Sequence, residues 1–179
     1  MALFYNGAHV SPSNNVFINS QAARRVIYNG VEVWKKALQV YPGYGVANAQ
    51  NQGSHKPYWS YSNNGNTITV SSYGGTDAGY GFIAIGPFSS IGYSQCYFHN
   101  LSVNVEVNNG VKAEIGIGDI NCGFHQKFLE PNANGSWGSG SVFNINAPNG
   151  GYYLLIRTWA SADYSGHRIT VNLTGFTLI

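Results

Sequence analysis

The acidic side chains of this sequence are few enough to weigh one by one: Glu32, Glu106, Glu114, Glu130, Asp77, Asp119 and Asp163. General acid–base catalysis needs two such groups converging on one cleft. Glu106 and Glu114 are the pair that strand alternation brings near each other, because a turn at Asn108-Asn109-Gly110 would set their strands side by side. That spacing would suit a glycosidase dyad. Both glutamates alternate with core-facing neighbours, however, which predicts solvated positions on a wet sheet face. No GxSxG nucleophile motif occurs. His9, His55, His99, His125 and His167 are dispersed, and no CxxC or HExxH spacing offers a metal site. His99 shares parity with the core-facing residues of its strand. Cys96 and Cys122 are read as reduced, buried small residues. The expectation is a non-enzymatic protein with no catalytic residue, cofactor or metal.

Binding chemistry is better represented. Aromatic residues fall in expected loops at Tyr44, Tyr73, Tyr80, Tyr93, Phe124, Trp137 and Tyr164. Sugar rings carry apolar C–H patches that stack on aromatic faces, while Asn, Asp and Ser read their hydroxyls. The candidate ligand contacts are Trp137 first, then Tyr73, Asp77, Tyr80, Asp163 and Tyr164. Trp137 sits between Gly135-Ser136 and Gly138-Ser139; its alternative role is a plug over one end of the fold or against a neighbouring subunit. Asp77 and Asp163 are loop acids suited to a sugar hydroxyl, or to a calcium ion, though no cluster of acids surrounds either. Charged residues make up 9% of the chain, well under the roughly 25% usual for soluble domains. A site built this way should bind almost independently of salt. The formal charge of +2 is scattered, which argues against a nucleic-acid partner. No apolar run approaches the roughly 18 residues of a spanning helix, and no membrane partner is expected.

Strands must position these residues. Asn29-Gly30 between β-forming runs signals a two-residue hairpin, in which Tyr28 faces Val31, Ile27 faces Glu32, Val26 faces Val33 and Arg25 faces Trp34. One face is then apolar: Val26, Tyr28, Val31 and Val33. Residues 1–36 are too few to bury a core alone, so this face is the expected attachment or oligomer contact. Residues 37–57 lose the alternation and read as a linker or extended arm. From residue 58 to 179 strand signals recur: 58–61 and 67–71 around Asn63-Asn64-Gly65, 80–85, 97–107, 111–117, 141–145, 152–159, which is apolar on both faces and so predicts a central strand, and 168–179. The span 119–140 reads as a Gly- and Asn-rich excursion. A parity change near Thr174-Gly175 predicts a β-bulge. The fold expected is all-β, an antiparallel β-sandwich of jelly-roll type behind a small N-terminal β-hairpin module.

Two resemblances add to this. The short "FYNG" strand followed by "ARRVIYNGVEVWKK" resembles the N-terminal module of many bacteriophage structural proteins, where such a hairpin precedes a variable β-rich domain. The closing "ITVNLTGFTLI" after "YYLLIRTW" resembles the jelly-roll domains of carbohydrate-binding modules and of phage receptor-binding proteins. The resemblances imply a non-catalytic virion structural or adhesion protein of tail- or head-fibre type. Its N-terminal module would attach to other virion proteins, and its sandwich would be displayed toward a host cell-surface glycan. They further imply a homo-oligomer, with a trimer as the first expectation, and a virion location after synthesis in the host bacterial cytoplasm. The alternative is a carbohydrate-binding module or domain of a secreted carbohydrate-active enzyme.

Overall fold

The computed structural model describes residues 4–5, 8–9, 16–18, 21–23, 25–28, 31–53, 58–73, 79–106, 110–160 and 167–179. The chain divides into two compact units, Met1–Leu38 with Ile179, and Gln39–Leu178. Every element among the described residues is a strand.

The first unit holds three antiparallel hairpins: β1 (Phe4–Tyr5) with β2 (Ala8–His9), β3 (Val16–Ile18) with β4 (Gln21–Ala23), and β5 (Arg25–Tyr28) with β6 (Val31–Lys35). In the third hairpin Tyr28 faces Val31 and Ile27 faces Glu32, the register a two-residue connection imposes. The turn itself, Asn29-Gly30, lies outside the described residues. A register shift between Val26 and Ile27 overturns the remaining pairs: Val26 faces Trp34 rather than Val33, and Arg25 faces Lys35 rather than Trp34. One extra residue on β6 produces this, a β-bulge that alternation alone does not signal. Trp34 is buried, Val26 half-buried and Tyr28 exposed.

Strands β7 (Leu38–Tyr41) and β8 (Val46–Gly53) follow, so much of the segment expected as a linker is sheet. Val40 and Tyr41 are fully buried. In β8 amides alternate with small alanines, which hides the apolar period that marks a strand. The others are β9 (Tyr58–Asn63), β10 (Ile68–Tyr73), β11 (Gly79–Ser89), β12 (Gln95–Phe98), β13 (Leu101–Val105), β14 (Val111–Gly118), β15 (Phe124–Leu129), β16 (Gly135–Ser136), β17 (Val142–Asn144), β18 (Gly151–Ala160), β19 (Arg168–Leu173) and β20 (Phe176–Leu178).

Two five-stranded antiparallel sheets, β15-β14-β18-β11-β8 and β16-β13-β19-β10-β9, make the sandwich. Ile83, Ile115, Leu154 and Ile156 of the first pack inward with Ile68, Val70, Ile169 and Val171 of the second, all at zero exposure. Each such aliphatic side chain stabilises by roughly 1.5–3 kcal/mol relative to leaving it in water. A buried polar link crosses the layers, with the Ser72 and Thr158 hydroxyls 2.7 Å apart. The architecture is an antiparallel β-sandwich of jelly-roll type.

Gly81 makes room for a side chain of the facing sheet. The Trp59 indole of β9 lies against its Cα, and an added Cβ would overlap the ring. Gly81→Ala should therefore cost about 2 kcal/mol through overpacking, read as a lower urea midpoint; an unchanged midpoint would show that Trp59 can swing aside.

A third sheet, β17-β12-β20-β7, continues from the second. His99-Asn100 and Thr174-Gly175 interrupt β12–β13 and β19–β20 at one level, joined by His99 N–H to Gly175 O (2.9 Å) and Thr174 N–H to Asn100 O (3.0 Å). The ribbon bends there from one sheet into another. Cys96 and Phe98 are buried before the bend, and Leu101, Val103 and Val105 after it. The parity change is thus a change of sheet rather than a bulge within one strand. The expected unbroken strand 97–107 is likewise two strands. His99 is exposed at the bend, its ring against the Thr177 hydroxyl (2.6 Å), and does not share core parity. The rings of Phe98 and Phe176 meet beyond the bend at 5.0 Å, with Phe143 5.7 Å from Phe98.

The hairpin expected across Asn108-Asn109-Gly110 does not form. β13 pairs with β19 and β16, whereas β14 pairs with β18 and β15. Both strands bury one alternating face, and that condition is met as well by strands facing across a sandwich as by neighbours in a sheet. The span 119–140, expected as an excursion, contains β15 and β16.

Candidate functional site

The outer face of the β15-β14-β18-β11-β8 sheet concentrates the chemistry of the sandwich. With Ile156 and Thr158 turned inward, alternation sends Leu155, Arg157 and Trp159 outward from β18. Register then places Glu114 opposite Arg157, Lys112 opposite Trp159, Phe82 opposite Arg157, Gln50 opposite Phe82 and Gln52 opposite Tyr80. Five strands at roughly 4.8 Å spacing make this face about 19 Å across.

Its charged centre is Glu114, with only 2% of the side chain exposed. Its Oε2 accepts from Arg157 Nε at 2.8 Å and from Arg157 Nη2. Its Oε1 accepts from Lys112 Nζ at 3.0 Å and from Lys127 Nζ. Burial by itself would push the carboxyl up, but the hydrogen bonds from Lys127, Arg157 and Lys112 outweigh it and bring it down to about 2. Glu130, at the rim, meets Lys112 at 2.8 Å and Lys127 at 3.4 Å. The Lys112 ammonium beside it holds the Glu130 carboxyl below its ordinary value.

Aromatic rings surround the guanidinium. Arg157 Cζ lies 5.0 Å from the Tyr80 centroid, 4.9 Å from Phe124 and 5.1 Å from Trp159. Lys112 Nζ stands 5.1 Å over Trp159. The three rings are half-buried. Along β8 runs an amide ladder: Gln52 Nε2 donates to Gln50 Oε1, Gln50 Nε2 donates to Asn48 Oδ1 at 3.1 Å, and the Tyr80 hydroxyl donates to Gln52 Oε1 at 3.0 Å. The loop after β14 closes the other end. Asp119 Oδ1 accepts from the Asn121 and Gly123 amides, Asn48 Nδ2 donates to Ile120 O (2.8 Å), and Cys122 packs on Phe82, Ala84 and Leu155. Both cysteines are free and buried; burial pushes Cys96 up to about 12 and Cys122 to about 11. Neither thiol is poised as a nucleophile.

The sequence-derived contacts are not gathered here. Tyr80 belongs to this face. Tyr73 lies on the outer face of the opposite sheet, stacked on Tyr58 at 5.0 Å and under Arg168 at 5.0 Å. Trp137 follows β16, beyond β13, half-buried with its indole N–H donating to Ala133 O at 3.0 Å. Asp77, Asp163 and Tyr164 lie outside the described residues. The two glutamates, expected as neighbours on a wet sheet face, are divided: Glu106 pairs with Arg168 at 3.2 Å on the second sheet, and Glu114 is buried on the first, not solvated. Charge is also not scarce where the rings converge, since Lys112, Glu114, Lys127, Glu130 and Arg157 all meet there. The apolar run 152–159 signals a central strand and hides Arg157 and Trp159 within it; the charged Arg in that run is the signal that one of its faces is polar.

No protein-family model matches the chain, and no curated protein matches it. Among solved structures, it is similar to the family 11 carbohydrate-binding module of the cellulosomal cellulase Lic26A-Cel5E of Clostridium thermocellum. Identity is 15% and the TM-score 0.41, over 80% of this chain and 93% of that one.

Proposed function

We infer that the outer face of the β15-β14-β18-β11-β8 sheet binds a glycan without catalysing its cleavage. The observation that carries this is the convergence of Tyr80, Phe124 and Trp159 around Arg157, beside the amide ladder of β8. Ring faces offer stacking to pyranose C–H patches, while a guanidinium and side-chain amides can donate to hydroxyls. Glu114 does not serve as a general acid in this reading, because a carboxyl brought down to about 2 stays ionised at neutral pH. The proposed role for the first unit is attachment of the chain to a virion, as part of an oligomer with a trimer as first expectation. Support for that role is the resemblance of the 24–36 stretch to phage modules. A binding domain of a secreted carbohydrate-active enzyme would use the same face.

Affinity electrophoresis of the whole chain in gels containing a panel of polysaccharides tests the reading. Tyr80→Ala should weaken retardation about tenfold or more, and Tyr73→Ala, on the opposite sheet, should not. Retardation by no polysaccharide, or loss on Tyr73→Ala alone, would overturn it.

A further inference from the structure

We propose that the glycan taken by this face carries a carboxylate, as a uronate-bearing polymer does, and that this carboxylate replaces Glu130 between Lys112 and Lys127. The inference rests on the glycan-binding reading above and names its ligand class.

Three cations, Lys112, Lys127 and Arg157, meet two carboxylates, Glu114 and Glu130, leaving one positive charge in excess. Asp119, in the adjoining loop, accepts from the amides of Asn121 and Gly123 and, among the described residues, forms no ion pair with these three cations. The two carboxylates differ sharply in accessibility. Glu114 is 2% exposed and takes two donors on each oxygen, so it cannot be exchanged without dismantling the sheet face. Glu130 is 47% exposed, and the ammoniums it bridges are on side chains 39% and 36% exposed. Exposed ion pairs of this kind contribute little, so another carboxylate can take the place of Glu130 at small cost. Position favours the exchange. Lys112 Nζ stands over the Trp159 ring, and Lys127 Nζ lies 5.9 Å from the Phe124 centroid. A sugar lying against Trp159 or Phe124 would meet an ammonium beside the ring, and a carboxylate on that sugar would be within reach of Lys112 or Lys127.

The test compares polygalacturonate with the same polymer after its carboxyl groups have been reduced to alcohols, using the whole chain in affinity electrophoresis and calorimetry. The acidic polymer should bind about tenfold more tightly, and the preference should shrink as salt rises from about 0.05 to about 0.5 M. Glu130→Gln should strengthen binding of the acidic polymer, since the competing carboxylate is gone. The Lys112→Met, Lys127→Met double variant, checked for an unchanged fold by circular dichroism, should lose the preference. Arg168→Gln, on the opposite sheet, controls for general charge attraction and should keep the preference. Equal binding of both polymers, or no gain in Glu130→Gln, overturns the carboxylate assignment while leaving glycan binding intact. Failure to bind any polysaccharide in the wider panel removes the glycan reading itself.

Discussion

Glu114→Gln is expected to cost about 3 kcal/mol of folding stability at pH 7, read as a lower urea midpoint, because removing one partner of a buried ion pair strands the other. The glutamine keeps the shape but not the charge; Lys112 and Lys127 still meet Glu130, while Arg157 loses the carboxylate it is paired with. A second route gives the same size. A carboxyl moved from its ordinary 4.5 down to about 2 on folding stabilises the fold by about 3 kcal/mol. The sign is that of a depressed acid: the contribution is fully present above about pH 5 and is lost as pH falls through 4.5 toward 2. The natural chain should therefore lose stability steeply across that window, while Glu114→Gln changes much less. The two curves should approach one another near pH 2. A variant within 1 kcal/mol of the natural chain, with the same acid slope, would show that Glu114 is not the anchor of this face.

The elements of the sandwich were legible where one face is buried and the other wet. Leu101, Val103 and Val105 alternate with Ser102 and Asn104, and the buried residues of β13 are those the alternation picks. The hairpin β9–β10 and the central place of β18 were legible for similar reasons: turn chemistry at Asn63-Asn64-Gly65, and an apolar run on both faces. Which strands pair was not legible. Alternation on β13 and β14 fixes what each buries, not whether they lie side by side or across the core. That ambiguity also misplaced the acids, since the glycosidase-like pairing of Glu106 with Glu114 depended on the hairpin. β8 escaped notice because a strand of amides and small residues has no apolar period. The site was half legible. Tyr80 was named for its ring, but Arg157 and Trp159 read as interior, since on a sheet whose outer face is partly roofed both faces look apolar. The Asp119–Gly123 loop does that roofing through Cys122, and nothing in its spacing announces where it will fold.

Trp159→Ala should weaken glycan binding about thirtyfold, the loss expected when a central aromatic anchor is truncated. The same change should lower stability by only about 1–2 kcal/mol, as two partly exposed cation–ring contacts disappear. Both cations have other anchors: Arg157 and Lys112 remain bound to Glu114. That redundancy separates the two roles of the indole. If it is a stacking platform, Trp159→Phe, which keeps a flat ring at the same position, should recover most of the binding and part of the stability. If it is only a prop for Arg157, Trp159→Ala should unfold earlier yet bind normally at low temperature, where the folded fraction is complete. Calorimetric titration at 10 °C, beside thermal melts of the same samples, distinguishes these outcomes. Trp137→Ala makes the sharpest control, because its indole N–H is already held by Ala133 O beyond the edge of the other sheet. Should Trp137→Ala abolish binding while Trp159→Ala does not, the aromatic surface of this fold that meets the glycan would be the one flanking β16.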